Sequence, residues 1–258
     1  MIKLVASDLD GTILLNGAQK VDETLLDTIG GLLQKNVIFA PASGRQITSL
    51  KRLFAPVADQ LMYISENGAL VSYKGETIAK TAMDRELAMA IIEDVYAHEN
   101  CEVLISGEHT AYFKPKTEEY RHRMTEVVNY HTTYVSDFRE IKEDILKIAV
   151  CDLSGIGNSK DYFFSKWSDK AATVVSGALY LDFMGLSVSK GNAMKQIQEK
   201  LGILPEECMA FGDNYNDVTM LDSVKYSYVM EKAADEIKKH GKYVTGNVEK
   251  TLKEAFDL

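Results

Sequence analysis

The chain has 258 residues, of which 46% are hydrophobic and 26% charged, as expected of a globular protein with a substantial core. Lys and Arg number 29 and Asp and Glu 38, which gives a formal net charge of -9. This acidic balance, without any run of basic residues, argues against nucleic-acid binding. No apolar run approaches the ~18 residues that a membrane-spanning helix needs.

The three cysteines are odd in number and contain no Cys-x-x-Cys pair: Cys101, Cys151 and Cys208. We therefore expect buried, reduced thiols rather than a disulfide framework. The N-terminus reaches acidic residues too early for a secretory signal, so the expected location is the cytoplasm.

The first third of the chain alternates between strand and helix patterns. Short, unbroken apolar runs predict strands, and apolar residues at helical spacing predict helices between them. The strands are expected at 2–7, 37–40 and 61–64, and the helices at 22–35, which Asn36 would end, and at about 46–54. Buried strands alternating with helices indicate a parallel sheet covered on both faces.

The last quarter repeats this pattern. It predicts a helix at 190–201, ended by Gly202, and strands at 208–211, 226–230 and 242–245, the last two separated by a polar helix. Together the two ends predict a Rossmann-like α/β core with a parallel sheet.

The middle of the chain has a different character. Segments 145–153 and 172–183 look like long amphipathic strands, which favours antiparallel pairing with one solvated face. Helices are expected at about 84–98, 117–128 and 159–169, the second with Tyr120, Met124, Val127 and Val128 on one face. We interpret this as an α+β domain inserted into the core, with boundaries at 1–81, 82–185 and 186–258.

Two acidic segments follow predicted strands. Asp8 and Asp10 lie in DLDGT (8–12), and they project to the same face if the strand extends that far. Asp213 and Asp217 lie in GDNYND (212–217) after a later strand. Ligands of parallel sheets bind beyond the carboxyl ends of the strands, and adjacent carboxylates favour a hard divalent cation. The alternative is that each segment is only a polar turn that caps a helix.

Two further segments carry groups that suit phosphate. Ser43, Gly44 and Arg45 follow the second strand and offer a hydroxyl, an accessible amide and a guanidinium. Lys190 begins a helix, where the helix dipole disfavours a cation unless an anion is close. Read alone, Ser43 is better explained as a helix cap than as a phosphate ligand, and Lys190 is only a weak signal because exposed lysines are common.

The ordered set DLDGT, SGR, SKG and GDNYND resembles the haloacid dehalogenase superfamily, and residues 66–69 (ENGA) also look like these proteins. The insertion resembles the type IIB cap of the Cof-like sugar-phosphate phosphatases, and such a cap would close over the site and select the leaving group. The resemblance implies a phosphatase that acts on a small phosphorylated metabolite.

The resemblance also implies the roles of individual residues. Asp8 is expected to be the nucleophile that forms an aspartyl-phosphate, and Asp10 the general acid and then the base. Mg²⁺ is expected to bind the carboxylates of Asp8 and Asp213 and the backbone carbonyl of Asp10. The remaining site residues are expected to hold the phosphoryl group or support the site: Ser43, Gly44, Lys190 and Asn216 for phosphate, Asp217 and Arg45 as support.

Several alternatives stay open at this point. The protein could be a phosphomutase of the same superfamily, or a phosphometabolite-binding protein without activity. Hexose or pentose phosphates are favoured by resemblance, with pyridoxal phosphate or a nucleotide precursor as alternatives, and a monomer or weak homodimer is expected. Cap residues that could contact the substrate are His109, Tyr112, Lys147 and Asp182, although a structural role is favoured for each.

Overall fold

The structure, a computed structural model, describes all 258 residues, which form two compact units. The core unit comprises Met1–Ala79 and Ser189–Leu258, and the inserted unit comprises Lys80–Val188. None of the helices combines the length and the apolar character that crossing a bilayer would require.

The elements of the first core segment, in chain order, are β1 (Leu4–Ser7), α1 (Glu23–Gln34), β2 (Ile38–Pro41), α2 (Ile47–Leu53), β3 (Met62–Ser65), β4 (Leu70–Tyr73) and β5 (Glu76–Lys80). Those of the inserted unit are α3 (Arg85–Ala97), β6 (Cys101–Ser106), β7 (Ala111–Phe113), α4 (Glu118–His122), β8 (Thr132–Tyr134), β9 (Lys147–Asp152), α5 (Lys160–Trp167), β10 (Ala172–Gly177) and β11 (Tyr180–Met184). The second core segment adds α6 (Lys190–Leu201), β12 (Cys208–Gly212), α7 (Val218–Asp222), β13 (Tyr226–Met230), α8 (Asp235–Lys238), β14 (Tyr243–Thr245) and α9 (Val248–Phe256).

The main sheet of the core unit has the strand order β14-β13-β12-β1-β2, and every pair in it is parallel. From β1 the chain passes to β2 on one side, and after the insertion it continues through β12 on the other side. The strand order therefore reverses between β1 and β12. In open α/β sheets ligands bind at such a switch point, beyond the carboxyl ends of the strands.

The two faces of this sheet carry separate apolar layers, because strand side chains alternate in direction. Val5 packs with Ile29 and Leu32 of α1 on one face, and Ala6 packs with Met194 and Ile197 of α6 on the other. The helices end as their sequences predict, with Asn36 and Gly202 in the left-handed conformation after α1 and α6. The predicted α/β fold class is confirmed.

The third predicted strand departs from the expectation of one continuous parallel sheet. β3 pairs antiparallel with β4 in a separate three-stranded sheet with the order β3-β4-β5. A single bridge between Ala42 and Ile64 joins β3 to the end of β2. Since β4 follows β3 after only a short turn, a hairpin partner is available locally.

The inserted unit contains a six-stranded sheet with the order β10-β11-β9-β6-β7-β8, antiparallel except between β7 and β8. Ile91 of α3 and Phe163 of α5 pack on one face, whereas Tyr120 and Met124 pack on the other. All three cysteines are free and buried, as predicted.

Three expectations for the inserted unit are wrong. Every residue of β9 is buried, so residues 145–153 do not have a solvated face. Segment 172–183 is a hairpin rather than one strand, because the chain turns at residues 178–179 between β10 and β11. Segment 117–128 changes from α-helix to a π-helical turn at Arg123–Val127, and the wider turn changes the angular position of later residues, so that Val127 is exposed.

Candidate active site

Three loops and one helix start meet at the switch point of the core sheet. Asp8 follows β1 directly, and its backbone N–H donates to Phe211 O in β12 at 2.9 Å. Asp213 follows β12, residues 43–45 follow β2, and Lys190 is the first residue of α6. The predicted segments therefore converge because the parallel strands place their carboxyl ends along one edge.

Lys190 lies between two buried carboxylates. Its Nζ donates to Asp8 Oδ1 at 2.5 Å and to Asp217 Oδ1 at 2.6 Å. The side chains of Lys190 and Asp217 are fully buried, and Asp8 is 6% exposed. A buried charge is costly unless it is paired, so the ammonium and the two carboxylates stabilise one another. The two facing carboxylates explain why a lysine is present at the start of α6, where the helix dipole disfavours a cation.

The electrostatics of the cluster follow from burial and from this pairing. Burial raises the pKa of the Asp8 carboxyl, which the Lys190 ammonium opposes and the Asp217 carboxylate reinforces. Burial alone disfavours the Lys190 ammonium, but the facing carboxylates outweigh it and raise the pKa of Lys190. The lysine therefore stays charged and holds Asp8 in an environment of low dielectric constant.

The Asp213 carboxylate is positioned by Gly11 and Thr12 of the loop after β1. Thr12 donates its hydroxyl hydrogen bond to Asp213 Oδ1 at 3.0 Å. Gly11, at φ +98°, lies so close that a Cβ there would be 2.2 Å from Asp213 Oδ2. Burial, together with the neighbouring Asp217, raises the pKa of Asp213 despite the hydrogen bond from Thr12. The glycine of DLDGT is thus required by both conformation and space.

Asp217 organises the loop after β12. Its Oδ2 accepts the backbone N–H groups of Asp213 and Asn214, both at 3.0 Å, while its Oδ1 accepts from Lys190. Both carboxylate oxygens are therefore engaged by the protein, which suits a supporting role.

Asp10 differs from the other aspartates of the site. β1 ends at Ser7, so the condition for Asp8 and Asp10 to project to one face is not met. The Asp10 side chain is 57% exposed and is held by Arg45, whose Nε lies 3.0 Å from Oδ2 and whose second terminal nitrogen lies 2.5 Å from Oδ1. Its carboxylate is thereby separated from the buried Asp8–Lys190–Asp217 cluster.

The loop of residues 43–45 begins at the edge of the site. The Ala42 N–H donates to Ser7 O at 2.8 Å, and the Ser43 N–H donates to Ile64 O at 2.9 Å. The Ser43 hydroxyl oxygen accepts the backbone N–H of Arg45 at 3.2 Å, so the loop folds back on itself. Ser43 is buried, and Gly44 lies between it and the arginine that binds Asp10.

The structure does not bring every predicted residue together, and it adds others. Asn216 is exposed in the short turn Tyr215–Asp217 and is not joined to the cluster. Thr12 and Asn67 were not singled out from the sequence, yet Thr12 binds Asp213 and Asn67 lies against Gly44. Thr12 lies in DLDGT and Asn67 in ENGA, two segments that resemble the family, so membership of these segments could have marked both residues as site candidates.

The site suits a divalent cation. One carboxylate oxygen from each of Asp8, Asp213 and Asp217 lies within 4.8 Å of the other two. Asp8 Oδ2 is buried and has no hydrogen-bond partner. Since both oxygens of Asp217 are already engaged, Asp8 and Asp213 are the carboxylates best placed to bind a cation directly. An all-oxygen donor set of this kind fits Mg²⁺.

Comparison with known proteins identifies the family of the chain. Residues 5–251 match the family described as haloacid dehalogenase-like hydrolase, and the chain belongs to that family. The 5-amino-6-(5-phospho-D-ribitylamino)uracil phosphatase YbjI of Escherichia coli (strain K12) is 25% identical over 95% of this chain and 91% of its own length.

Two solved structures show the same fold. A crystal structure of a protein from Eubacterium rectale is 26% identical, with a TM-score of 0.88 over 99% of each chain. The sugar phosphatase BT4131 of subclass IIB is 20% identical, with a TM-score of 0.78 over 99% of this chain and all of the other. The family match and the phosphatase name of the Escherichia coli relative support a phosphatase, and the resemblance to the haloacid dehalogenase superfamily is confirmed.

Proposed function

We propose that the protein is a Mg²⁺-dependent phosphatase that hydrolyses a small phosphate monoester through an aspartyl-phosphate on Asp8. The observation that carries the proposal is the asymmetric environment of Asp8. Lys190 holds one oxygen of this buried carboxylate at 2.5 Å, whereas the other oxygen is buried without a partner. A buried carboxylate oxygen without a partner is costly in a merely structural role and is suited to bind a ligand.

In the first step the Asp8 carboxylate attacks phosphorus, and the ester P–O bond breaks as the new bond forms. Asp10, in its carboxylic acid form, gives its proton to the departing alcohol oxygen. Asp10 lies in the loop after β1, two residues beyond the nucleophile; Arg45 orients its carboxyl group, and 57% of the side chain is exposed to an entering ester.

In the second step the Asp10 carboxylate takes a proton from water, and the water oxygen attacks the phosphorus of the aspartyl-phosphate. Inorganic phosphate leaves, and the Asp8 carboxylate is regenerated. Nucleophilic attack needs a carboxylate and proton transfer to the leaving group needs a carboxylic acid, so two separate groups are required. Asp8 is buried and paired with Lys190, whereas Asp10 is exposed and paired with Arg45.

Charge neutralisation and positioning dominate phosphoryl transfer. Lys190 supplies a fixed positive charge beside Asp8, and the loop with Ser43 and Gly44 supplies hydroxyl and amide donors for phosphoryl oxygens. Mg²⁺, when bound by Asp8 and Asp213 with the Asp10 carbonyl, would neutralise developing charge on the phosphoryl group. Asp217 would keep Lys190 and the loop after β12 in place. For Asn216 a role in phosphate binding would require its exposed side chain to turn toward the ligand.

We assign the substrate class by similarity. The Escherichia coli relative is named for a compound that carries its phosphate on a ribityl chain. We therefore expect a phosphate ester of a sugar or sugar alcohol to be the preferred substrate of this chain as well.

The test is a phosphate-release assay with 4-nitrophenyl phosphate and a panel of sugar and sugar-alcohol phosphates. Release should depend on Mg²⁺ and stop in EDTA. Asp8→Asn and Asp10→Asn should each lower kcat by about a thousandfold or more, while the matched control Asp235→Asn, 97% exposed in side chain, should be fully active. Full activity of Asp8→Asn would refute the proposal.

The covalent step has its own readout. Enzyme quenched with acid during turnover should carry one phosphoryl group on the peptide that contains Asp8, and Asp8→Asn should carry none. A phosphomutase would instead return the phosphoryl group to a second hydroxyl and release little free phosphate. Absence of turnover across the whole panel, together with tight ligand binding, would favour a binding protein.

A further inference from the structure

A left-handed turn lies next to the site and has no assigned role. Residues Glu66–Gly68 follow β3 and all have positive φ, at 50°, 58° and 100°. Non-glycine residues rarely adopt this conformation, and it persists where the surrounding structure fixes it. Glu66 is 2% exposed, so the turn is part of the interior rather than a surface loop.

The turn holds the backbone of the 43–45 loop. The Glu66 N–H donates to Arg45 O at 3.2 Å, and the Asn67 N–H donates to Ser43 O at 3.0 Å. The Asn67 side chain lies against Gly44, because a Cβ on Gly44 would be 3.0 Å from Asn67 Oδ1 and 3.1 Å from Nδ2. The turn thus binds the carbonyl oxygens of Ser43 and Arg45 and packs against Gly44.

The same turn lies against the start of α6. A Cβ on Gly68 would be 2.4 Å from Ser189 O and 3.1 Å from the backbone nitrogen of Lys190. Lys190 in turn reaches Asp8 at 2.5 Å. The turn is therefore in close contact with the two segments that carry Ser43 and Lys190, although these segments are far apart in the chain.

We propose that Asn67 is a positioning residue that, through this turn, sets the 43–45 loop and the start of α6 relative to each other. The inference deepens the proposed function and rests on it. Asn67 acts through the contact of its side chain with Gly44, whereas its backbone N–H, which any residue at this position retains, holds Ser43 O. Because phosphoryl transfer depends on placement, a small displacement of these donors should lower the rate strongly.

Asn67→Gly is the informative variant, since glycine accepts positive φ and only the side chain is lost. Its matched control is Asn36→Gly, which makes the same change at φ 59° in the same unit, at the end of α1. We expect Asn67→Gly to lower kcat/KM for 4-nitrophenyl phosphate by about tenfold or more and to weaken inhibition by inorganic phosphate. Asn67→Asp, which keeps the side-chain shape, should recover part of the rate, and Asn36→Gly should match the wild type.

A second measurement does not depend on turnover. Hydrogen–deuterium exchange of peptides that cover residues 43–46 and 189–192 should be faster in Asn67→Gly than in wild type and in Asn36→Gly, at an unchanged Tm. Unchanged exchange in both peptides, or kcat/KM within about twofold of wild type, would overturn the inference. A wild type that is inactive on every ester would instead refute the proposed function, while the exchange comparison would still decide whether Asn67 positions the loop.

Discussion

Arg45 donates hydrogen bonds to both carboxylate oxygens of Asp10, from its Nε to Oδ2 at 3.0 Å and from a terminal nitrogen to Oδ1 at 2.5 Å. This two-point contact joins the loop after β1 to the loop after β2. A guanidinium fork fixes the orientation of a carboxylate, which a single ammonium cannot do. Arg45 thereby determines where the proposed acid and base of the reaction points.

Arg45→Lys should therefore lower kcat by about tenfold, because a single donor leaves Asp10 free to rotate. The pair is partly exposed, so the free energy of unfolding should change by less than about 1 kcal/mol. Steady-state kinetics and urea unfolding provide the two measurements. The matched control is Arg139→Lys, which alters the similar exposed contact with Asp137 and should leave kcat unchanged. Equal kcat in Arg45→Lys and wild type would contradict the orienting role.

Thr12 should control the affinity of the site for its cation. Thr12→Val keeps the shape of the side chain but removes the hydrogen bond that orients Asp213. Loss of a residue that orients a metal ligand typically weakens metal binding about tenfold or more. The Mg²⁺ concentration for half-maximal activity should rise accordingly. Thr28→Val, which removes a hydroxyl bonded to Thr24 O within α1, should not change it, and a similar rise there would point to a general loss of packing.

Lys190 should contribute to stability as well as to activity. Lys190→Met leaves the buried carboxylates of Asp8 and Asp217 without their counter-charge, which should destabilise the fold by about 3–5 kcal/mol. Adding Asp8→Asn removes one of these charges, so the double variant should be more stable than the sum of the single effects predicts, by about 0.5–3 kcal/mol. Urea unfolding of the four proteins measures this coupling.

Additive changes in the free energy of unfolding would contradict the predicted coupling between Lys190 and Asp8. Strictly additive effects would mean that the two side chains do not interact in solution. Lys3→Met, which breaks the partly exposed pair with Glu207 at the amino ends of β1 and β12, should show little change in stability and full activity.

Substitution of alanine for glycine should lower the stability of the fold at Gly11 and raise it at Gly30. Gly11→Ala places a methyl group 2.2 Å from Asp213 Oδ2 at φ +98°, so it should cost about 1–3 kcal/mol and abolish activity. Gly30→Ala, within α1, meets nothing within 4 Å and should stabilise the fold by about 0.5–1 kcal/mol. Thermal unfolding and kinetics on both variants test the pair. A stable, active Gly11→Ala would show that Asp213 can move away from this position.

Local patterns predicted most elements of the core unit. The helix over 190–201 matches α6, and Asn36 and Gly202 terminate helices as expected, since these signals depend only on neighbouring residues. The π-helical turn at Arg123–Val127 was missed, because a shift from α to π spacing leaves no periodic signal in so short a segment. The hairpin within 172–183 was missed because its two-residue turn contains neither Asn nor Asp.

The identity of the acidic and basic groups, and their place at strand ends and a helix start, could be predicted from the sequence alone, because parallel strands bring their carboxyl ends to one edge. The partners of those groups could not. Lys190 lies between Asp8 and Asp217, and Asp10 pairs with Arg45. Both arrangements depend on the loop conformation, including the positive φ of +98° at Gly11, and on the end of β1 at Ser7. Such contacts join residues up to 182 positions apart, and only the packed sheet and its loops decide which side chain meets which.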